Sequence, residues 1–324
     1  MRKLILSILI SVVSWAAFAA NPRWAALKET PIPARADLDV RWDTPANFGV
    51  GSNVPTNVWP AEVWIYRLLP RKFAPETISN LMVMCSFTEK DRVEEDANGA
   101  VFRSPDGSRS LSISCSLASV RYESPELNYG PTNLAQGVPA MADLPSLTTN
   151  FVSMIGVPFS EICKGTNGLP DFNFSEPYTW YYLTNTTVTN IPFRAVVFSR
   201  CVDGARVIGG AGHCGLKFGE HGKVALIHFS WPGLESKRSA VAFRPEKIVR
   251  LIREGKAYQG MVPSDVGYIN WPTVKSVTIK QAWPCYFGDS STLYPFMALW
   301  TTIDTGNGSF DAGIECPIID ETKP

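Results

Sequence analysis

Residues 192–231 read PFRAVVFSRCVDGARVIGGAGHCGLKFGEHGKVALIHFSW. Three runs rich in β-branched and aromatic residues are separated by Asp203-Gly204 and by Glu220-His221. Asp-Gly between such runs is a strong hairpin signal, because both positions of a tight turn need a left-handed backbone. With Asp203-Gly204 as the turn, Val202 opposes Ala205 and Arg200 opposes Val207. With Glu220-His221 as the second turn, Leu216 faces Ala225, Cys214 faces Ile227, and His213 faces His228. Cys214, Leu216, Ala225, Ile227, Phe229 and Trp231 then share an apolar face. His213 and His228 point the other way, because successive strand residues alternate.

The same letters resemble pieces of a trypsin-like protease: RVIGG its activation site, GHC its histidine segment, and GDSST (288–292) its nucleophile loop. The spacing rejects that reading. The protease needs RVIGG at a new N-terminus with its histidine tens of residues later, whereas Gly210 and His213 are separated by only two residues. Ser290 also lacks the following glycines that form an oxyanion hole.

Outward from this stretch, three segments place apolar residues at helical spacing, each followed by strands. They are 75–87, with Ile78, Leu81 and Cys85 on one face; 145–155, with Leu147, Phe151, Met154 and Ile155; and 245–254, with Ile248, Leu251 and Ile252 inward and Arg250 and Arg253 outward. After the first, AVFR (100–103) turns through Ser104-Pro105-Asp106-Gly107 into one strand over 108–124, with Leu111, Ile113, Cys115 and Leu117 inward. After the third, 274–283, 293–303 and 310–319 form a three-stranded run with a turn at Gly306-Asn307-Gly308. Trp-Pro at 59, 231, 271 and 283 reads as punctuation, since proline tends to end strand pairing. The thrice-repeated order predicts an α+β fold of helix-plus-antiparallel-sheet units in two domains, 59–123 and 145–319. An extended lead-in covers 21–58, a Pro- and Gly-bearing linker 124–144, and a tail 320–324.

Residues 1–20, MRKLILSILISVVSWAAFAA, have the basic start, apolar run and small-residue end of a secretory signal peptide. The expected location after its removal is secreted or periplasmic, where disulfides persist. No later run approaches the roughly 20 apolar residues of a membrane span, so the mature chain is expected to have no transmembrane segment. With 30 basic and 30 acidic residues the net charge is zero, which gives no basis for a nucleic-acid partner. Seven cysteines are too few for a disulfide scaffold, and the odd count leaves at least one outside any intrachain pair.

Several residues are candidates for chemistry. His213 and His228 offer a metal-binding or pH-sensitive pair, or two polar side chains on an open sheet face. No third ligand has a recognisable spacing, so no metal site is expected; a structural zinc site takes four ligands. Cys85 and Cys115, both read as core-facing, are a candidate disulfide or two small core hydrophobes. Trp180 and Tyr182, with Tyr181 between them, are candidates for carbohydrate contact or for core. Residues 235–256 carry seven Lys or Arg against three Glu, so Arg250 and Arg253 lie on a solvated face or meet an acidic partner. The loop acids Asp171, Glu176, Asp265 and Asp289 are what a hydrolase would have to use. No phosphate-binding loop or cofactor motif is found, so no cofactor is expected.

Over about 145–319, the VDGARVIGG hairpin, the Pro-led helix and the closing strands resemble PepSY and FTP-type modules. These are small α+β units of protease propeptides and of exported regulators of bacterial cell-envelope signalling. Asp203, Gly204, Val207, Gly209 and Gly210 match their hairpin pattern, and Leu293-Tyr294-Pro295 with Trp300 is similar to their L-x-P-x-W/Y segment. Neither a downstream protease domain nor a retained anchor is expected from these residues. The resemblance therefore implies an exported, non-catalytic binding or regulatory protein with a protein or peptide partner. The alternatives are an exported hydrolase with dispersed catalytic residues and a carbohydrate or cell-wall binding module.

Overall fold

The structure, a computed structural model, describes residues 31–48, 62–96, 98–124, 134–183, 186–241, 245–260, 262, 269–288 and 291–318. It corrects the expected fold class: the described residues are mostly β, with two large sheets and three α-helices among them, and form no repeat of helix-plus-sheet units. The proposed signal peptide, Asp265, Asp289 and Ser290 lie outside the described residues.

The first sheet has eight antiparallel strands. Their order is β3 (Arg92–Asp96), β4 (Gly99–Arg103), β5 (Ser110–Ser114), β6 (Ser119–Glu123), β14 (Val224–Ser230), β13 (His213–Phe218), β10 (Arg194–Ser199) and β7 (Asn173–Ser175). Helices α1 (Pro75–Met84) and α2 (Leu144–Ile155) begin and end close to where their apolar spacing places them. Leu81 of α1 and Phe151 and Ile155 of α2 share one core with Phe102, Ile113, Cys214 and Ile227 of the sheet. The two helices therefore cover one sheet. Pairing of β6 with β14, from Glu123↔Leu226 to Ser119↔Ser230, carries that sheet across the expected domain boundary at 124–144. Alternation tells which face of a strand is buried, and leaves open which distant strand lies beside it.

Residues 108–124 form two strands instead of one. The chain folds back between β5 and β6, with Ala118 at φ 48°, so Leu117 is 58% exposed and Cys115 sits in the turn. No Gly, Pro, Asn or Asp marks this turn, which is why the sequence hides it.

The second sheet has nine strands. Its path is β11 (Cys201–Val202), β12 (Ala205–Gly209), β17 (Ser276–Gly288), β18 (Thr292–Asp304), β19 (Ser309–Pro317) and β16 (Tyr258–Gln259). β1 (Asp39–Phe48), from the expected lead-in, runs parallel to β17, and β2 (Glu62–Leu69) lies between β15 (Gly233–Val241) and β18. Helix α3 (Pro245–Arg253) sets Ile248 and Ile252 against Val277, Leu299 and Ile314. Trp283-Pro284 lies inside β17, not at its end. Along one edge of β17, β1 pairs as far as Ala282 and β12 begins at Cys285. Pro284 falls in the gap, where no ladder partner needs its missing N–H. Pro295 of β18 falls likewise between the residues paired to β2 and those paired to β19.

After the first passage, from β2 to β3, the chain passes between the sheets at three further places: β10 to β11, β12 to β13, and β14 to β15. Arg200 stands at the first of these three and reaches the third, donating from Nη1 to the Pro232 carbonyl at 2.6 Å and from Nη2 to Glu161 Oε2 at 2.8 Å. It also stacks on Trp231, whose indole N–H donates to the same Glu161 oxygen at 2.8 Å. At the second of the three, Gly212 has φ 110°, and a Cβ there would lie 2.8 Å from the Cβ of Arg200. A disulfide, Cys163–Cys201, ties the segment after α2 to β11. The Asp203-Gly204 turn forms as expected, with Val202 opposite Ala205 and both turn residues at positive φ. Asp203 Oδ2 accepts from Tyr66 Oη and Tyr286 Oη, each at 2.7 Å, which fixes the hairpin tip to β2 and β17.

The structure replaces the candidate Cys85–Cys115 disulfide with Cys163–Cys201; Cys85 and Cys115 are free. Cys85 stays in the core from the last turn of α1, while the fold-back takes Cys115 out of the strand. Among the described residues no helix is long and apolar enough to cross a membrane.

Candidate functional site: the outer face of the eight-stranded sheet

The eight-stranded sheet buries one face under α1 and α2, and its other face carries both candidate histidines. The link from β13 to β14 is the five-residue stretch 219–223, in which His221 and Gly222 have positive φ and the register slips between Lys217 and Phe218. The two-residue turn read from the sequence is therefore corrected: His213 opposes Ser230 and His228 opposes Gly215. The register moves by two residues, and a shift of two leaves each side chain on its original face. Cys214 and Leu216 remain buried against Ile227 and Phe229.

One row across the outer face runs Ser112, Arg121, His228, Gly215, Val197, Asn173. The next row places Glu123, Leu226 and Lys217 side by side, and the row on the other side places Ser119, Ser230 and His213. Gly215 is central. Nothing lies within 4 Å of the position its Cβ would take, so there is open space above it. His228 flanks that space directly from the neighbouring strand, and His213 and Lys217 flank it along the strand of Gly215 itself, two residues before and after it.

Electrostatics give these side chains different states. Burial pushes the His213 imidazole down to about 4, helped by His228 and Arg121 and opposed by a hydrogen bond to the Gly209 carbonyl. Its Nδ1 is buried and has no partner, so the neutral ring presents an unused lone pair. Burial also lowers His228; Arg121 and Lys217 add to this, and Glu123 opposes it. Burial lowers Lys217, whose ammonium stands 4.4 Å from the centroid of the Phe193 ring. Arg121 is exposed. Among the described residues no three His, Cys, Asp or Glu side chains gather as metal ligands, and Arg121 places a cation beside the pair.

The other candidates are dispersed. Arg250 is exposed beside Glu254, but Arg253 turns inward and donates from Nε to the Leu38 carbonyl at 2.9 Å, correcting its expected outward position. Trp180 and Tyr182 lie on β8 (Thr179–Leu183), paired with β9 (Thr186–Asn190) in a separate two-stranded ribbon. Asp171 is bound to Arg206 at 2.7 Å, and Glu176 is bound to Arg194. These pairs hold two of the four candidate hydrolase acids as counter-ions. A cleft of roughly 580 Å³ is lined by Ser86, Asp106, Ser108, Arg109, Tyr122 and Lys223, among others. Asp106 accepts from the hydroxyls of Ser104 and Ser108, which hold it ionised, down to about 2, and so a poor base near neutrality.

Compared with known proteins, the chain matches no family model and no curated protein.

The sequence reading missed Gly215, Arg121 and Lys217 as members of this face. Period-two alternation puts Gly215 and Lys217 beside His213, so that part of the signal is present. Arg121 is 107 positions from His228 and meets it only through sheet order.

Proposed function

We propose that this chain is a non-catalytic binding protein acting outside the cytoplasm, and that a protein or peptide partner docks an acidic side chain over Gly215. The carrying observation is the open space above that glycine, bordered by His228, His213 and Lys217, with Arg121 beside His228. A carboxylate there meets the Arg121 and Lys217 cations, and its charge-assisted hydrogen bonds to them are the strong class. A partly cationic face suits recognition of another surface, where such charges set specificity and encounter rate. The export signal read at the N-terminus supports the location.

A photo-cross-linking side chain placed at Arg121, with another at Val83 as a control on α1, tests the reading in the secreted or envelope fraction. Val83 is 69% exposed and belongs to the helix layer on the other side of the sheet. A discrete adduct from position 121, absent from position 83 and lost at high salt, is expected. The same adducts from both positions, or none from 121, would overturn the reading.

A further inference from the structure

The nine-stranded sheet holds a second arrangement, independent of the first. Glu315 of β19 is 6% exposed, and among the described residues no hydrogen bond or ion pair reaches its carboxyl group. In one row across the sheet, Tyr258, Glu315, Ala298 and Trp283 lie side by side. The adjoining row holds Phe296 and Cys285, and the Tyr258 and Phe296 rings stand 6.3 Å apart. Tyr258 and Trp283 pack against the cluster of Cys285, Phe287, Phe296 and Ala298. Ala298, between Trp283 and Glu315, is 9% exposed and presents only a methyl group beside the larger side chains of Trp283, Tyr258 and Phe296.

A carboxylate without a partner in apolar surroundings is costly, and a ligand that brings the opposite charge offsets that cost. Aromatic rings add attraction for a cation that carries alkyl groups. The neighbouring cations are committed: Arg206, beside Cys285, is held by Asp171, and Lys280 is held by Asp311. The titratable groups facing Glu315 are the buried Cys285 thiol, which burial keeps protonated, and Tyr258. We propose that the notch over Ala298 binds an organic ammonium group, its charge on the Glu315 carboxylate and its alkyl carbons against Trp283, Tyr258 and Phe296.

Burial alone raises the Glu315 carboxyl to about 7. Its ionised fraction, and with it the affinity for an ammonium ion, falls about 30-fold between pH 8 and pH 5.5. The test titrates the full chain with n-butylammonium, n-butanol and capped Gly-Lys-Gly, read by tryptophan fluorescence and by melting temperature. Butylammonium is expected to bind at pH 8, to weaken as pH falls, and to lose its advantage over butanol in Glu315→Gln. Urea unfolding of that variant at pH 8 verifies its fold, and the pH series on the parent needs no variant. A response to the lysine peptide as well assigns the ammonium to a protein side chain; a response to butylammonium alone assigns it to a small free amine. Equal binding of butanol, a pH-independent response, an undiminished response in Glu315→Gln, or no response to either amine overturns the proposal.

Discussion

Burial moves the proton equilibria of His213 and Glu315 in opposite directions, and stability must follow each. His213 falls from 6.5 to about 4, so the unfolded chain binds the extra proton between those values. Its contribution is complete above pH 6.5 and is lost as pH falls toward 4, by up to about 3 kcal/mol. Glu315 rises from 4.5 to about 7, so the folded chain binds the extra proton. Its contribution is complete below pH 4.5 and is lost as pH rises toward 7, by a similar amount. In the parent the two slopes largely cancel, and single variants separate them. In urea unfolding, Glu315→Gln should match the parent at pH 4 and exceed it by about 2–3 kcal/mol at pH 8. His213→Gln should flatten the acid side of the curve, and an unchanged acid slope would show that the imidazole is solvated. At this scale the sequence was partly legible. The shared face of His213 and His228 survives the register error because the side-chain period is two. The burial of Glu315 was not legible, since it depends on Tyr258, Ala298 and Trp283 from three other strands.

Helices were the most legible elements, their apolar spacing and leading prolines locating each to within a few residues. Strand ends at Gly-bearing turns were also legible, whereas the fold-back at Ala118 and the sheet change at Gly210–Gly212 carried no familiar signal. The sheet change depends on backbone that only glycine adopts easily. Gly212→Ala is expected to lower stability by about 2–4 kcal/mol, through its positive φ and its contact with Arg200, while Gly107→Ala, in open space, costs less. Equal costs would place the crossing elsewhere. The Cys163–Cys201 bond, 38 residues apart, stabilises the same junction. Replacing both cysteines by serine should cost about 4 kcal/mol on the loop-entropy estimate, whereas Cys85→Ser with Cys115→Ser leaves no bond to lose. Mass spectrometry of a non-reduced digest should find 163 linked to 201; a peptide linking 85 to 115 would contradict the assignment.

At the scale of the molecule, sheet order decides both architecture and site. The sequence shows many half-buried strands and cannot show that β6 lies beside β14, so repeated units and a linker were the natural inference from local pattern. The observed pairing builds one polar face from both halves of the chain, bringing Arg121 to His228 and leaving space over Gly215. Filling that space is the most direct test of the account. Gly215 has no positive φ and its Cβ position is open, so Gly215→Leu should preserve or slightly raise the unfolding midpoint. Binding to the partner identified by cross-linking from position 121 should fall by tenfold or more, because the side chain occupies the volume the partner needs. A Gly215→Leu protein that folds as the parent does and binds that partner equally well would contradict the central claim.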